Sequence, residues 1–286
     1  HAGLLRGAVL AFRGRWTELE VNEPLDLASL PRTATVLLAV RLARVAGRRP
    51  PTVVTYAIGN LDVLAVRAPR LRSRLRRRVE LALARSLWRR IDRVAFGTSG
   101  ARDVYARRFA PKEDALLVPA LPAPCDCAPA ARLADRVPSL LIVGTGPLEE
   151  EVRRAAAADP TITLLVDPPR ETIHRELRAA RTVVLPSQPR PLWREQLGLP
   201  IVEALAHGAR VVTSTETGLA EWLSDNGHAV LAPDASPAAW ASAIAGRLGT
   251  EADASADATR ILATLPGEDG RLAADRALFG RTVVPA

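Results

Sequence analysis

The chain has 286 residues, 48% of them hydrophobic, with 39 basic and 31 acidic side chains for a net charge of +8. That length carries two modest domains with their own cores. Two cysteines, and no apolar run approaching ~18 residues, exclude a disulfide scaffold and a membrane-spanning helix. The charge is uneven: residues 1–118 carry 23 Arg and Lys against 10 Asp and Glu, and the remainder carries 16 against 21. The first half therefore suits an anionic partner.

In chain order, residues 7–12 read as a strand or a helix, and residues 30–45 as a helix. Residues 52–56 are a compact β-branched strand with Gly59 and Asn60 at its carboxyl end. Residues 67–93 form a long basic helix, with Arg67, Arg70, Arg72, Arg74, Arg76, Arg77 and Arg78 around Leu71, Leu75, Val79, Leu83, Leu87 and Ile91. Apolar residues every four positions make one winding stripe. Either this helix packs in the core with a solvated Arg face, or it docks on an anionic membrane surface. Nucleic acid fits less well, because the cluster lacks interleaved aromatics. Trp88 suits a core or an interface equally. Residues 94–97 are a strand, Ser99 caps a helix to about 109, and 116–118 is a further strand.

Residues 119–136, rich in Pro and Ala, read as a linker. It holds Cys125 and Cys127, expected as free thiols: one intervening residue strains a bridge, and further zinc ligands are lacking. Few cysteines suit a reducing cytoplasm. Residues 137–143 are a strand, followed by Gly144-Thr-Gly146-Pro147-Leu148 and a helix over 149–158. A strand at 162–166 and a helix at 170–180 follow, with His174 expected on the solvated side.

The chain is organised around residues 181–234. Thr182 to Leu185 is a buried strand. Residues 198–207 are a short helix, with Pro200 in the first turn and Gly208 as its stop. Residues 211–214 are the next strand, and such βαβ units place ligands at the carboxyl ends of their strands. Glu195 lies in the loop at that edge and Glu203 early in the helix. Carboxylates accept hydrogen bonds from sugar hydroxyls, and free N–H groups at a helix start receive a diphosphate. A short helix at 218–223, a strand at 228–231, a helix at 240–248, a loop or frayed helix at 249–259 and closing helices at 258–264 and 272–278 complete the reading.

Leu-Pro-Ser, Glu-x-x-Gly-Leu-Pro-x-x-Glu-Ala-x-Ala-x-Gly, Val-Val-x-Ser, Gly-x-x-Glu and Pro-Asp, in that order over residues 185–234, resemble the donor domain of retaining GT-B glycosyltransferases of family 4. The likeness extends weakly back to about residue 50. It implies an α/β fold, GT-B-like, with two Rossmann-like parallel-sheet domains facing a cleft: a shortened acceptor-side domain over 1–118 and a donor domain over 137–286.

By resemblance, the reaction is transfer of a sugar from a nucleotide diphosphate sugar, with retention, to an acceptor such as a lipid-linked or cell-envelope glycan. Glu195 takes the catalytic position against the sugar hydroxyls. Gln196, Leu197, Gly198 and Leu199 cradle the sugar, Glu203 holds the ribose, and Gly144, Gly146, Pro147 and Leu148 form a second donor-binding turn. Relatives have Gly where Gln196 stands and often Phe where Leu197 stands. Two family pieces are absent: the front of the acceptor domain, and the first strand–loop–helix of the donor domain with its Gly-Arg and Lys-Gly. Arg170, Arg190 and Arg194 are the available substitutes for those phosphate ligands.

No metal or cofactor is expected. A cytoplasmic protein, peripheral on the inner membrane face, fits this reading. High Arg and Ala with a single Lys suggest a GC-rich bacterial genome, and His1 in a chain without Met suggests that the true start lies upstream. The alternative is a degenerate, non-catalytic GT-B protein that acts as a sugar-nucleotide-binding or membrane-surface interaction module.

Overall fold

A computed structural model describes residues 2–14, 16–65, 70–125, 139–191, 193–249 and 251–280. Its first half holds four parallel strands in sequential order: β1 (Glu18–Glu20), β2 (Thr52–Ala57), β3 (Arg93–Phe96) and β4 (Leu116–Leu117). α1 (Ala2–Arg13) precedes them, and α2 (Leu30–Val45), α3 (Leu71–Trp88) and α4 (Ser99–Arg108) connect them. Right-handed crossovers taken in one direction put α2, α3 and α4 on a single face of the sheet. The side chains alternate accordingly. Val53, Val94 and Phe96 share a core with Leu37, Leu87 and Val104 from those helices.

The opposite face needs its own cover. Val54 and Ala95 point there and meet Ala274 and Leu278 of α11 (Gly270–Phe279). The last helix of the chain thus packs on the first sheet. It was expected with the domain at 137–286; the uncovered apolar face of β2 and β3 accounts for the difference.

α3 also departs from expectation. It begins at Leu71, with Arg70 as N-cap, and Arg67 lies outside the described residues. Only its second half is core: Ala84, Leu87 and Trp88 are buried, whereas Leu71, Leu75 and Val79 are 80%, 63% and 59% exposed. The four-residue stripe is real in sequence, but the sheet reaches only its C-terminal end. Trp88 belongs to the core, stacked on Phe109 at 5.2 Å, with Nε1 donating to the Ala110 carbonyl at 2.9 Å. α4 is capped by Thr98 rather than Ser99, its hydroxyl accepting from Ala101 N at 3.0 Å.

The second half has β5 (Leu140–Val143) paired with β6 (Ile162–Leu165), and β7 (Thr182–Leu185) with β8 (Arg210–Ser214) and β9 (Ala229–Leu231), all parallel. No ladder joins the pair to the triple among the described residues. A doubly wound sheet runs 3-2-1-4-5-6. Removing its first strand leaves a 3-2 pair and a 4-5-6 triple, which is the observed division. Burial follows. α5 (Glu149–Ala158) and α6 (Arg170–Ala179) bury no residue completely, while α7 (Leu199–Ala206) buries Ile201, Ala204 and Leu205 against β8.

α8 (Ala220–Asp225) and α9 (Pro237–Leu248) follow. Of the loop or frayed helix expected at 249–259, the structure shows the helix, α10 (Glu251–Thr264). Its Ile261 joins the core around α7, and Asp257 pairs with Arg210 and with Arg260, at 2.7 Å for the latter. Those contacts hold a sequence whose Ala content already tolerates a helix. Cys125 is disulfide-bonded, which corrects the free-thiol expectation. The expectation for Cys127 lies outside the described residues.

Candidate functional site

A cavity of about 930 Å³ opens between the two halves. One wall is the loop after β1, with Asn22, Glu23 and Asp26. The loop after β2 adds Gly59 and Asn60, and Trp193, Arg194, Glu195 and Gln196 form the opposite wall. Arg271 of α11 closes one side. Every contributing loop leaves the carboxyl end of a parallel strand or faces one, as open α/β sheets require of a ligand site.

Three contacts fix the 193–197 loop. Asn60 Nδ2 donates to the Glu195 carbonyl at 2.9 Å, Gly218 N to the Gln196 carbonyl at 2.9 Å, and Thr217 Oγ1 to the Leu197 carbonyl at 2.8 Å. A Cβ at Gly218 would lie 2.3 Å from the Gln196 oxygen, so only glycine permits this approach. Gly198 has φ +79, and a Cβ there would meet Ile201 and Leu185 at 2.8 and 2.9 Å. Its N–H donates to Glu195 Oε1 at 3.1 Å. The Glu195 carboxylate is therefore anchored at the start of α7, where the positive end of the helix also favours it.

On the facing wall, Glu23 accepts Gly59 N at 3.1 Å and the Tyr105 hydroxyl at 3.2 Å. Burial raises its pKa despite those bonds. The Arg271 guanidinium pairs with Glu20 at 2.5 Å and with Asp275 at 2.8 Å, and lies 5.7 Å from the Tyr56 ring centre. Burial also raises the Tyr56 phenol.

The sequence-derived site residues divide. Glu195 and Gln196 line the cavity. Leu197 turns into the α7 core, and Leu199 is exposed at the helix start. Glu203 does not line the cavity; its Oε1 is 2.5 Å from Arg170 Nη2. Arg170, considered as a phosphate ligand, is thus held by the carboxylate assigned to the ribose. Arg194 lines the cavity, yet its guanidinium is engaged by the Thr215 carbonyl at 2.8 Å and by Glu216 at 3.5 Å. Arg190 is exposed in a bridge to Trp193. Gly144, Gly146, Pro147 and Leu148 form an exposed turn outside the cavity lining, with open space around both glycines.

His174 is not on a solvated face: its Nδ1 lies 3.1 Å from His207 Nε2 at the α6–α7 contact. Among the described residues, no group of three His, Cys, Asp or Glu is placed to hold a metal ion, and no helix is long and apolar enough to cross a membrane. Sequence reasoning passed over Glu23, Asp26, Trp193 and Arg271. The Gly59-Asn60 pair after a strand was the one visible signal on the facing wall.

Two parallel α/β halves with a cleft between their loop ends define a GT-B-like fold. Solved structures agree. The lipopolysaccharide glycosyltransferase WaaG aligns over 96% of this chain and 95% of its own, with TM-score 0.57 and 14% identity. Anabaena HepE, solved in complex with UDP-glucose, aligns over 96% of this chain and 78% of its own, with TM-score 0.55 and 14% identity. At such identities the likeness is one of fold.

Sequence carries the next step. Residues 125–249 match the family described as glycosyl transferases group 1. D-inositol 3-phosphate glycosyltransferase of Corynebacterium kroppenstedtii is 34% identical over 95 residues, 33% of this chain and 20% of that protein. The chain thus aligns with about a fifth of the length of that curated relative.

Proposed function

We propose that the chain binds a nucleotide diphosphate sugar at the carboxyl edge of β7 and β8 and transfers the sugar, with retention, to an acceptor in the interlobe cavity. The observation that carries this reading is Glu195, held by Gly198 N at the start of α7 with its loop lining the cavity. Its carboxylate would accept sugar hydroxyls, and the positive end of α7, with the Leu199 N–H, would favour the leaving diphosphate. Glu203 and Arg170 form a ready pair beside that helix: the carboxylate for ribose hydroxyls, the guanidinium for a phosphate oxygen. Titration with UDP-glucose and GDP-mannose by calorimetry, followed by release of nucleotide diphosphate, tests the proposal. Absence of binding by both donors, together with no effect of Glu195→Ala, would sink it.

The exposed half of α3 supports a location at an anionic membrane surface. Leu71, Leu75 and Val79 stand bare among exposed Arg72, Arg74, Arg76 and Arg78, and the neighbouring α2 exposes Leu38, Leu42 and Val45. Apolar side chains that enter the headgroup region, with guanidinium groups beside them, gain about 1 kcal/mol per basic residue near anionic lipid. Sedimentation with phosphatidylglycerol vesicles, but not with phosphatidylcholine vesicles, is expected. It should fall with salt and with Leu71→Ser plus Leu75→Ser; indifference to lipid charge contradicts the reading.

A further inference from the structure

We infer that the Asn22–Asp26 wall of the cavity, with Asn60, is the acceptor subsite, and that it takes an uncharged or amino-bearing polyol and rejects a phosphorylated one. This rests on the proposed transfer reaction and adds the chemical class of its acceptor.

The charges around the cavity carry the argument. Four carboxylates line it: Glu20, Glu23, Asp26 and Glu195. Two guanidinium groups do so as well, and both are engaged: Arg271 with Glu20 and Asp275, Arg194 with Thr215 and Glu216. Among the described residues, both lining cations already sit against carboxylates, so a phosphate dianion would have to compete with Glu20, Asp275 and Glu216 for them. Such a group would enter among like charges, where juxtaposition strongly disfavours binding.

Unfilled acceptors point the same way. Asn60 is 3% exposed, and its Oδ1 has no hydrogen-bond partner among the described residues while its Nδ2 holds the Glu195 loop. A buried polar atom in that state gains from a donor. Asp26 Oδ1 accepts Ala28 N at 3.1 Å, and no described residue donates to Oδ2. Hydroxyl and ammonium groups donate; a phosphate at neutral pH chiefly accepts. The wall is therefore an array of acceptors awaiting donors. It is also rigid, because Glu23 ties the β1 loop to Gly59 and to Tyr105 of α4.

The test uses the full chain loaded with UDP, with glucosamine and glucosamine 6-phosphate as probes in calorimetric titrations. Glucosamine is expected to bind at least about tenfold more tightly than its phosphate, a difference of about 1.4 kcal/mol. Asp26→Asn keeps the oxygen that receives Ala28 N, so the loop retains its turn. It should weaken glucosamine about tenfold and leave UDP affinity unchanged, whereas Asp26→Lys should reverse the preference. Equal or tighter binding of the phosphate overturns the inference, as does failure of both sugars to bind the UDP-loaded chain, or an Asp26→Asn variant with unchanged glucosamine affinity. Failure of UDP itself to bind strikes the proposed function instead.

Discussion

The side-chain amide of Asn60 donates to the main-chain carbonyl of Glu195 at 2.9 Å, across 135 residues of sequence. One hydrogen bond thus joins the loop after β2 to the loop before α7, two walls of the cavity. Asn60→Ala removes a buried donor and strands the carbonyl. Unfolding free energy should fall by about 1–2 kcal/mol in urea titration. Asn60→Asp should cost more, because a carboxylate would face a carbonyl oxygen. An unchanged midpoint in both variants would show that the bridge contributes nothing.

Gly198 is the second sensitive position. Its φ of +79 and the 2.8–2.9 Å approach to Ile201 and Leu185 leave no room for a methyl group. Gly198→Ala should cost about 1–3 kcal/mol in backbone strain alone and lower the melting temperature. Because Gly198 N holds Glu195, nucleotide-sugar affinity should fall with it at unchanged helical circular dichroism. A variant that melts as the parent does contradicts the geometry.

His228 sets a pH dependence. Its Nδ1 accepts Val211 N at 3.1 Å, and burial, with Arg247 and Arg260 nearby, lowers its pKa to about 4. The folded state therefore keeps the ring neutral, while the unfolded chain takes up a proton near pH ~6.5. The unfolded state binds more protons between those values, so stability rises with pH there. The contribution, about 3 kcal/mol, is fully present above pH ~6.5 and is lost as pH falls toward 4. His228→Asn keeps an acceptor for Val211 N and cannot titrate. Its stability should vary less between pH 7 and pH 4.5 than the parent's, measured by urea unfolding at each pH.

The division of the second half into two sheets predicts uneven protection. β5 has no completely buried residue, whereas four of the five residues of β8 are buried. Amide exchange in 140–165 should outpace that in 211–214 by orders of magnitude, since local opening costs least where few apolar contacts oppose it. Equal protection would show that the pair and the triple unfold as one unit.

Much of this was legible residue by residue. Thr52 to Tyr56 and Thr182 to Leu185 announce strands by β-branched runs, and Pro200 with Gly208 brackets α7 closely. These signals are local: a strand's side-chain chemistry and a helix's start and stop residues act within a few positions. The order of motifs from Leu185 to Asp234 carried the resemblance, and residues 125–249 match the glycosyl transferases group 1 model. Glu195 was found because a loop at a strand's carboxyl end is where such sheets hold ligands. Glu203 was named for the same reason, yet its ion pair with Arg170 spans 33 residues and has no local signature.

By itself, then, the sequence determined the parallel α/β elements, the glycosyl transferase segment and the placement of Glu195, because all three follow from short-range pattern and spacing. Tertiary structure alone decided that α11 covers the first sheet, that Leu71, Leu75 and Val79 remain bare, and that Asn60 meets Glu195 across a cavity walled by carboxylates. Each of those depends on which distant surfaces need covering and which buried polar groups need partners, and no stretch of neighbouring residues encodes that.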